Sequence, residues 1–115
     1  MTTATYREVD QFFANEEATK AADKAIMMLQ LKHGGELPYC GFAWVVYPER
    51  IRKNSQNAKA LEAIGFSWND YAKCMEKRGL YHGQSLDFAE EACRAYADKF
   101  KEITGIRLNV RSRVD

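Results

Sequence analysis

The sequence predicts a single α+β domain, a small sheet of about three strands with helices packed mainly on one face. Three observations carry this. At 115 residues the chain has the usual length of one domain, so 1–115 is read as one unit. Apolar residues make up 46% of it and aromatic residues 12%, enough for a core without help from metal or disulfide. Helix-period stripes and period-two stretches follow one another along the chain, the mark of mixed architecture.

From about Glu8 to Lys32 the residues favour helix, and Ala18, Ala21, Ala22, Ala25, Met28 and Leu29 form an i, i+3, i+4, i+7 stripe. Such small side chains suit close packing on a sheet. Asn15 could cap the stripe, so one helix or two remain open. The run His33-Gly34-Gly35 ends it. After Pro38, residues 41–47 are rich in β-branched and aromatic side chains. Phe42, Trp44 and Val46 alternate with Ala43, Val45 and Tyr47, so both faces are apolar and the strand is expected at the centre of the sheet. Ser55 caps a short helix ending near Ile64 and Gly65. From Ser67 to Gly79 the signals conflict between a helix capped by Ser67 and a strand over Tyr71 to Leu80. Ser85 or Asp87 caps the strongest helix, whose stripe of Phe88, Ala89, Ala92, Cys93, Tyr96, Phe100 and Ile103 stops at Gly105. Beyond it Ile106, Leu108, Val110 and Val114 alternate with Arg107, Asn109, Arg111 and Arg113, which predicts a half-buried strand with one cationic face. The expected core includes Phe42, Trp44, Val46, Leu61, Ile64, Ala92, Tyr96, Phe100, Ile106, Leu108 and Val110.

Three segments together, Cys40-Gly41-Phe42-Ala43-Trp44-Val45, Gln84-Ser85-Leu86-Asp87, and Gly105-Ile106 leading to Ser112-Arg113-Val114-Asp115, resemble a widespread group of small proteins encoded by tailed bacteriophages. The resemblance covers roughly the last two-thirds of the chain. It implies a viral origin and no particular chemistry. Members often carry a glycine-rich stretch ahead of the Gln-Ser step; here that stretch is Tyr71-Ala72-Lys73-Cys74-Met75-Glu76-Lys77, without glycine.

Lys and Arg number 17 against 16 Asp and Glu, so a net charge of +1 supplies no overall field for polyanions or membranes. Any anion-binding surface must be local. Cys40, Cys74 and Cys93 are widely spaced, which reads as reduced thiols. The opening Met1 to Tyr6 has neither a basic nor an apolar leader segment, and the expected location is the (host) cytoplasm, off the membrane.

The sharpest candidate site is the cation set Arg107, Arg111 and Arg113, with Arg50, Arg52 and Lys53 added if their loop lies close. Guanidinium groups at strand spacing match a phosphate backbone or an acidic protein patch, although a solvated edge-protecting face would look the same. Trp44, Trp68, Tyr71, Tyr47 and Tyr81 are candidate platforms for stacking on bases, although their positions suit the core; Trp44 is expected buried, and Trp68 and Tyr81 are the pair assigned to stacking. A zinc site from His33, Cys40, Cys74, His82 and Cys93 and a Glu90–Glu91 acid/base dyad lack the required spacing, whereas Cys40 and His82, both near glycine-rich turns, leave a nucleophile–base pair open. No catalytic residue, metal or cofactor is assigned. The favoured function is a non-catalytic phage accessory protein that occupies and inhibits a host macromolecule, first of all a host protein of bacterial defence (a counter-defence role) or replication. The alternatives are nucleic-acid binding by the arginine strand, and a small-ligand-sequestering protein or enzyme with a pocket near Cys40 and His82.

Overall fold

The structure, a computed structural model, describes residues 8–34 and 40–114. Gly35 and Pro38, which were expected to end the first helix and precede the first strand, and Asp115 of the terminal motif lie outside the described residues. The elements run α1 (Glu8–His33), β1 (Gly41–Val46), α2 (Gln56–Ala63), β2 (Ser67–Asn69), β3 (Cys74–Lys77), α3 (Leu86–Thr104) and β4 (Asn109–Val114). The fold is α+β, as the residue periods predict, with four strands where about three were expected. The strands lie in the order β2-β3-β1-β4, each antiparallel to its neighbours. Hence α2 joins two parallel strands with β3 between them, and α3 joins two with β1 between them. This is the doubled split βαβ, or ferredoxin-like, arrangement, preceded by one extra helix.

The conflicting stretch after Ser67 is a tight hairpin. Asn69 shapes it: its Oδ1 accepts from the Tyr71 and Ala72 amides at 2.9 and 3.0 Å, and its carbonyl accepts from the Lys73 amide at 2.7 Å. Two strands of three and four residues are too short for a period to stand out in sequence.

The long α3 is built as its sequence reads. Ser85 Oγ accepts from the Phe88 amide, Gly105 closes the helix in the left-handed region at φ 81°, and Phe88, Ala92, Cys93, Tyr96 and Phe100 are buried. Burial lifts the Cys93 thiol to about 12, with Glu90 adding and Arg94 opposing, and it also raises the Tyr96 phenol. α1 is one continuous helix. Its small residues Ala14, Ala18 and Ala22 are fully buried, and it packs on α3 rather than on the sheet. Asn15 is no cap; its Oδ1 accepts the Tyr96 hydroxyl at 2.5 Å, the partner that a buried phenol needs. Under α2, Lys77 Nζ donates to the Ile64 carbonyl at 2.9 Å, and burial lowers the pKa of that ammonium.

The faces of β1 are the main correction. Gly41, Ala43, Val45 and Tyr47 are buried beneath the helices, while Phe42, Trp44 and Val46 point to the opposite, uncovered side, where Val46 is nonetheless buried, as expected. The reason is distance. A Cβ on Gly41 would come to 3.0 Å from the Leu86 side chain and 2.5 Å from the Arg113 carbonyl, so only a near-absent side chain fits under α3 there. Bulky rings at alternate positions therefore go outward. Phe42 is 40% exposed, and Trp44 is half-buried.

Candidate functional site: the uncovered face of the sheet

Strand register fixes which side chains share this face. Phe42, Trp44 and Val46 stand opposite Arg113, Arg111 and Asn109 of β4. On the other flank Val46 stands opposite Glu76, and Glu76 and Cys74 stand opposite Ser67 and Asn69. Two aromatic rings on the central strand are thus bordered by arginines.

The rings form a layered stack. The Phe42 and Trp44 centroids are 5.8 Å apart at an interplanar angle of 31°. Arg78, just after β3, lays its guanidinium over both, 4.2 Å from the Trp44 ring and 5.8 Å from that of Phe42. Its Nε donates to Glu76 Oε2 at 2.6 Å, a charge-assisted bond that aims the planar group. Glu76 is only 5% exposed, and its other oxygen accepts from Asn69 Nδ2 at 3.0 Å. The floor carboxylate is therefore neutralised and held.

At one end of the face the end of β1, the β2–β3 turn and the start of β4 enclose a hollow of about 480 Å³. Trp44 and Tyr71 supply aromatic wall, and Tyr71 is almost fully exposed. Arg50, Lys73 and Arg111 reach the same hollow, and none of the three takes part in an ion pair among the described residues. Cys74 also lines it; burial first, then the nearby Glu76, raises its thiol pKa, opposed by Arg111. That thiol stays protonated and is a poor nucleophile. A larger trough of about 690 Å³ runs along α1, but alanines floor it and lysine stems such as Lys20 and Lys24 edge it, with no aromatic ring.

The residues expected from sequence separate into three groups. Arg111 and Arg113 are exposed on the uncovered face, and Arg50 joins them through the hollow. Arg107 does not. β4 begins only at Asn109, and the stretch ahead of it stays beside α3, where Arg107 shares a small hollow with Arg94, Asp98 and Lys101. Arg52 is exposed away from the hollow, and Lys53 is 3.6 Å from Asp70.

Neither aromatic residue that the sequence assigns to stacking is a free platform. Trp68 stands opposite the buried Met75 on the helix-covered side, packs on the core and donates Nε1 to Asp70 at 2.9 Å. Tyr81 is half-buried, 5.6 Å from the Phe88 ring. The rings that do share the uncovered face are Phe42 and Trp44, which the sequence places in the core, and Arg78 lies over both. The alternation of Gly41, Ala43 and Val45 with the two rings was the available signal.

His33 at the end of α1, Cys40 just ahead of β1 and His82 ahead of α3 are exposed, and among the described residues no group of three or more His, Cys, Asp or Glu could hold a metal ion. No helix of the described residues is long and apolar enough to cross a membrane. Comparisons with protein-family models, with curated proteins and with solved structures return no match.

Proposed function

We propose that this protein is a non-catalytic binding protein that captures single-stranded nucleic acid on the uncovered face of its sheet. One observation carries the reading: Phe42 and Trp44 lie side by side on the central strand, layered with Arg78 and bordered by Arg111 and Arg113. Unpaired bases have flat apolar faces that stack on such rings and on guanidinium planes, while their phosphates pair with flanking cations. The resemblance to phage-encoded proteins fits a factor acting on viral or host strands in an infected cell.

A host protein as the captured macromolecule, with a counter-defence role, is the competing form of the proposal. An acidic protein patch would satisfy the arginines, but it gives the two rings no stacking partner. The nucleic-acid reading uses both features.

The test is fluorescence anisotropy with labelled single-stranded DNA and RNA of about ten nucleotides, within the span such platforms cover, at two salt concentrations. The wild type is expected to bind with log affinity falling against log salt with a slope of roughly −2 to −3, the value for three or four phosphate contacts to a single strand. Phe42→Ala with Trp44→Ala should weaken binding by about tenfold or more, since each stacked base contributes ~1–3 kcal/mol. Absence of binding to either strand, or affinity unchanged in the double variant, overturns the reading and leaves a protein partner.

A further inference from the structure

We infer that the hollow at the end of this face is a seat for a strand terminus carrying a phosphomonoester, with Lys73 as one of its phosphate ligands. The inference rests on the nucleic-acid reading above and deepens it.

The first support is charge. Arg50, Lys73 and Arg111 share the hollow with two carboxylates, Glu49 and Glu76. Glu76 is committed to Arg78 and Asn69, and Glu49 is placed to accept from the Tyr47 hydroxyl at 3.5 Å. Three cations against one uncommitted carboxylate leave an excess of two. A phosphodiester link inside a strand brings a single negative charge, whereas a terminal phosphate is close to a dianion at neutral pH. Lys73 and Arg50 also differ usefully in kind, one a mobile point charge and the other a planar fork.

The second support is backbone conformation. Lys73 has φ 57° and is the single residue other than glycine in the left-handed region among the described residues. That conformation costs a side-chain-bearing residue free energy and favours glycine or asparagine. Nothing in the turn needs the lysine, since Asn69 supplies the bonds that close it. A strained residue without a structural role, whose side chain lines a cation-rich hollow, points to the ammonium as the reason it is there.

The third support is shape. Trp44 and Tyr71 give the terminal base a wall, and a hollow of about 480 Å³ has the size of a small-ligand site. Strand ends, with no continuing chain to thread, suit a hollow bounded by the β1 end, the hairpin turn and the β4 start.

The experiment compares three oligonucleotides of one sequence, bearing a 5′-phosphate, a 3′-phosphate or no terminal phosphate, against the wild type, Lys73→Gly and Arg111→Gln. One phosphorylated end should bind about tenfold tighter than the unphosphorylated strand, and which end it is assigns the polarity. Lys73→Gly should erase most of that gain while keeping or raising the melting temperature, a combination that loss of fold cannot produce. Arg111→Gln should erase part of it. Equal affinity for all three strands, or a gain that survives in Lys73→Gly, overturns the inference while leaving the face reading intact. If none of the three strands binds the wild type, both fall together.

Discussion

Replacing Arg78 by alanine tests the keystone of the uncovered face, because one side chain there serves two interactions. Its bond to Glu76 Oε2 at 2.6 Å is charge-assisted, a class of hydrogen bond worth ~1.5–3 kcal/mol. The Arg78 side chain is 47% exposed, so solvent screening moves the value to the lower end of that range. Its place over the Trp44 ring at 4.2 Å adds ~0.5–1 kcal/mol. The expected loss is about 2 kcal/mol, which for a domain of this size lowers the melting temperature by roughly 8 °C. Part of the loss arises because Glu76, 5% exposed, is left as an under-compensated carboxylate. Glu76→Gln in the Arg78→Ala background should therefore recover stability, with a coupling of about 1 kcal/mol in a double-mutant cycle. Urea denaturation of the four proteins measures both quantities. A loss below 0.5 kcal/mol for Arg78→Ala, taken as roughly the noise level of surface substitutions, or strictly additive single and double variants, would refute the claim that these two residues act as one unit.

Two further outcomes follow from burial and backbone geometry. Cys93 holds its proton up to about 12 in the folded state, against 9.0 for an unperturbed thiol, so between those values the unfolded chain binds fewer protons and stability falls as pH rises. The loss from this group at pH 10, on the order of 1 kcal/mol, should be absent in Cys93→Ala; the difference between the two proteins' urea midpoints from pH 8 to 10 measures it, and parallel curves would contradict it. Gly65 has φ +101°, and a Cβ there would run into Lys77 Nζ, so Gly65→Ala should cost about 1–3 kcal/mol and displace the ammonium from the Ile64 carbonyl. Thermal melts check the cost, and an unchanged melting temperature would mean that the turn relaxes freely.

What could be read in advance was whatever depends on one segment at a time. The stripe and caps of α3, from Ser85 to Gly105, follow from local periodicity and hydrogen-bond chemistry, and so does the short α2 with Ser55 bound to the Ala58 amide. What could not be read depends on which element covers which. In β1 both alternating sets are apolar, and hydrophobicity alone sends the larger set inward. The structure does the reverse: Gly41, where a Cβ would meet Leu86 of α3, marks the side that carries Ala43, Val45 and Tyr47 as the covered one. The same limit applies to α1, whose alanines show that something packs closely on it without saying whether that is a sheet or another helix. Arg107 leaves the expected face for a subtler reason. Strict alternation from Ile106 onward resembles a strand, but strand pairing begins at Asn109 and the preceding residues still follow α3.

The near-neutral composition and the proposed anion-binding role are compatible because the charges are sorted by location. On the helical side acids and bases neutralise one another at short range: Lys20 with Glu17, Arg94 with Glu91, and Lys99 with Glu102, each pair three residues apart. On the uncovered face the single buried carboxylate is matched by Arg78, and Arg50, Lys73, Arg111 and Arg113 have no ion-pair partner among the described residues. A sum over the whole chain hides that separation. With a screening length of ~10 Å at 0.1 M salt, a ligand lying on the sheet responds mainly to the cations beside it and only weakly to acids beyond the helices. Such a surface would attract strands over short distances only, and its hold on them would come more from ring stacking and a few direct phosphate contacts than from long-range steering.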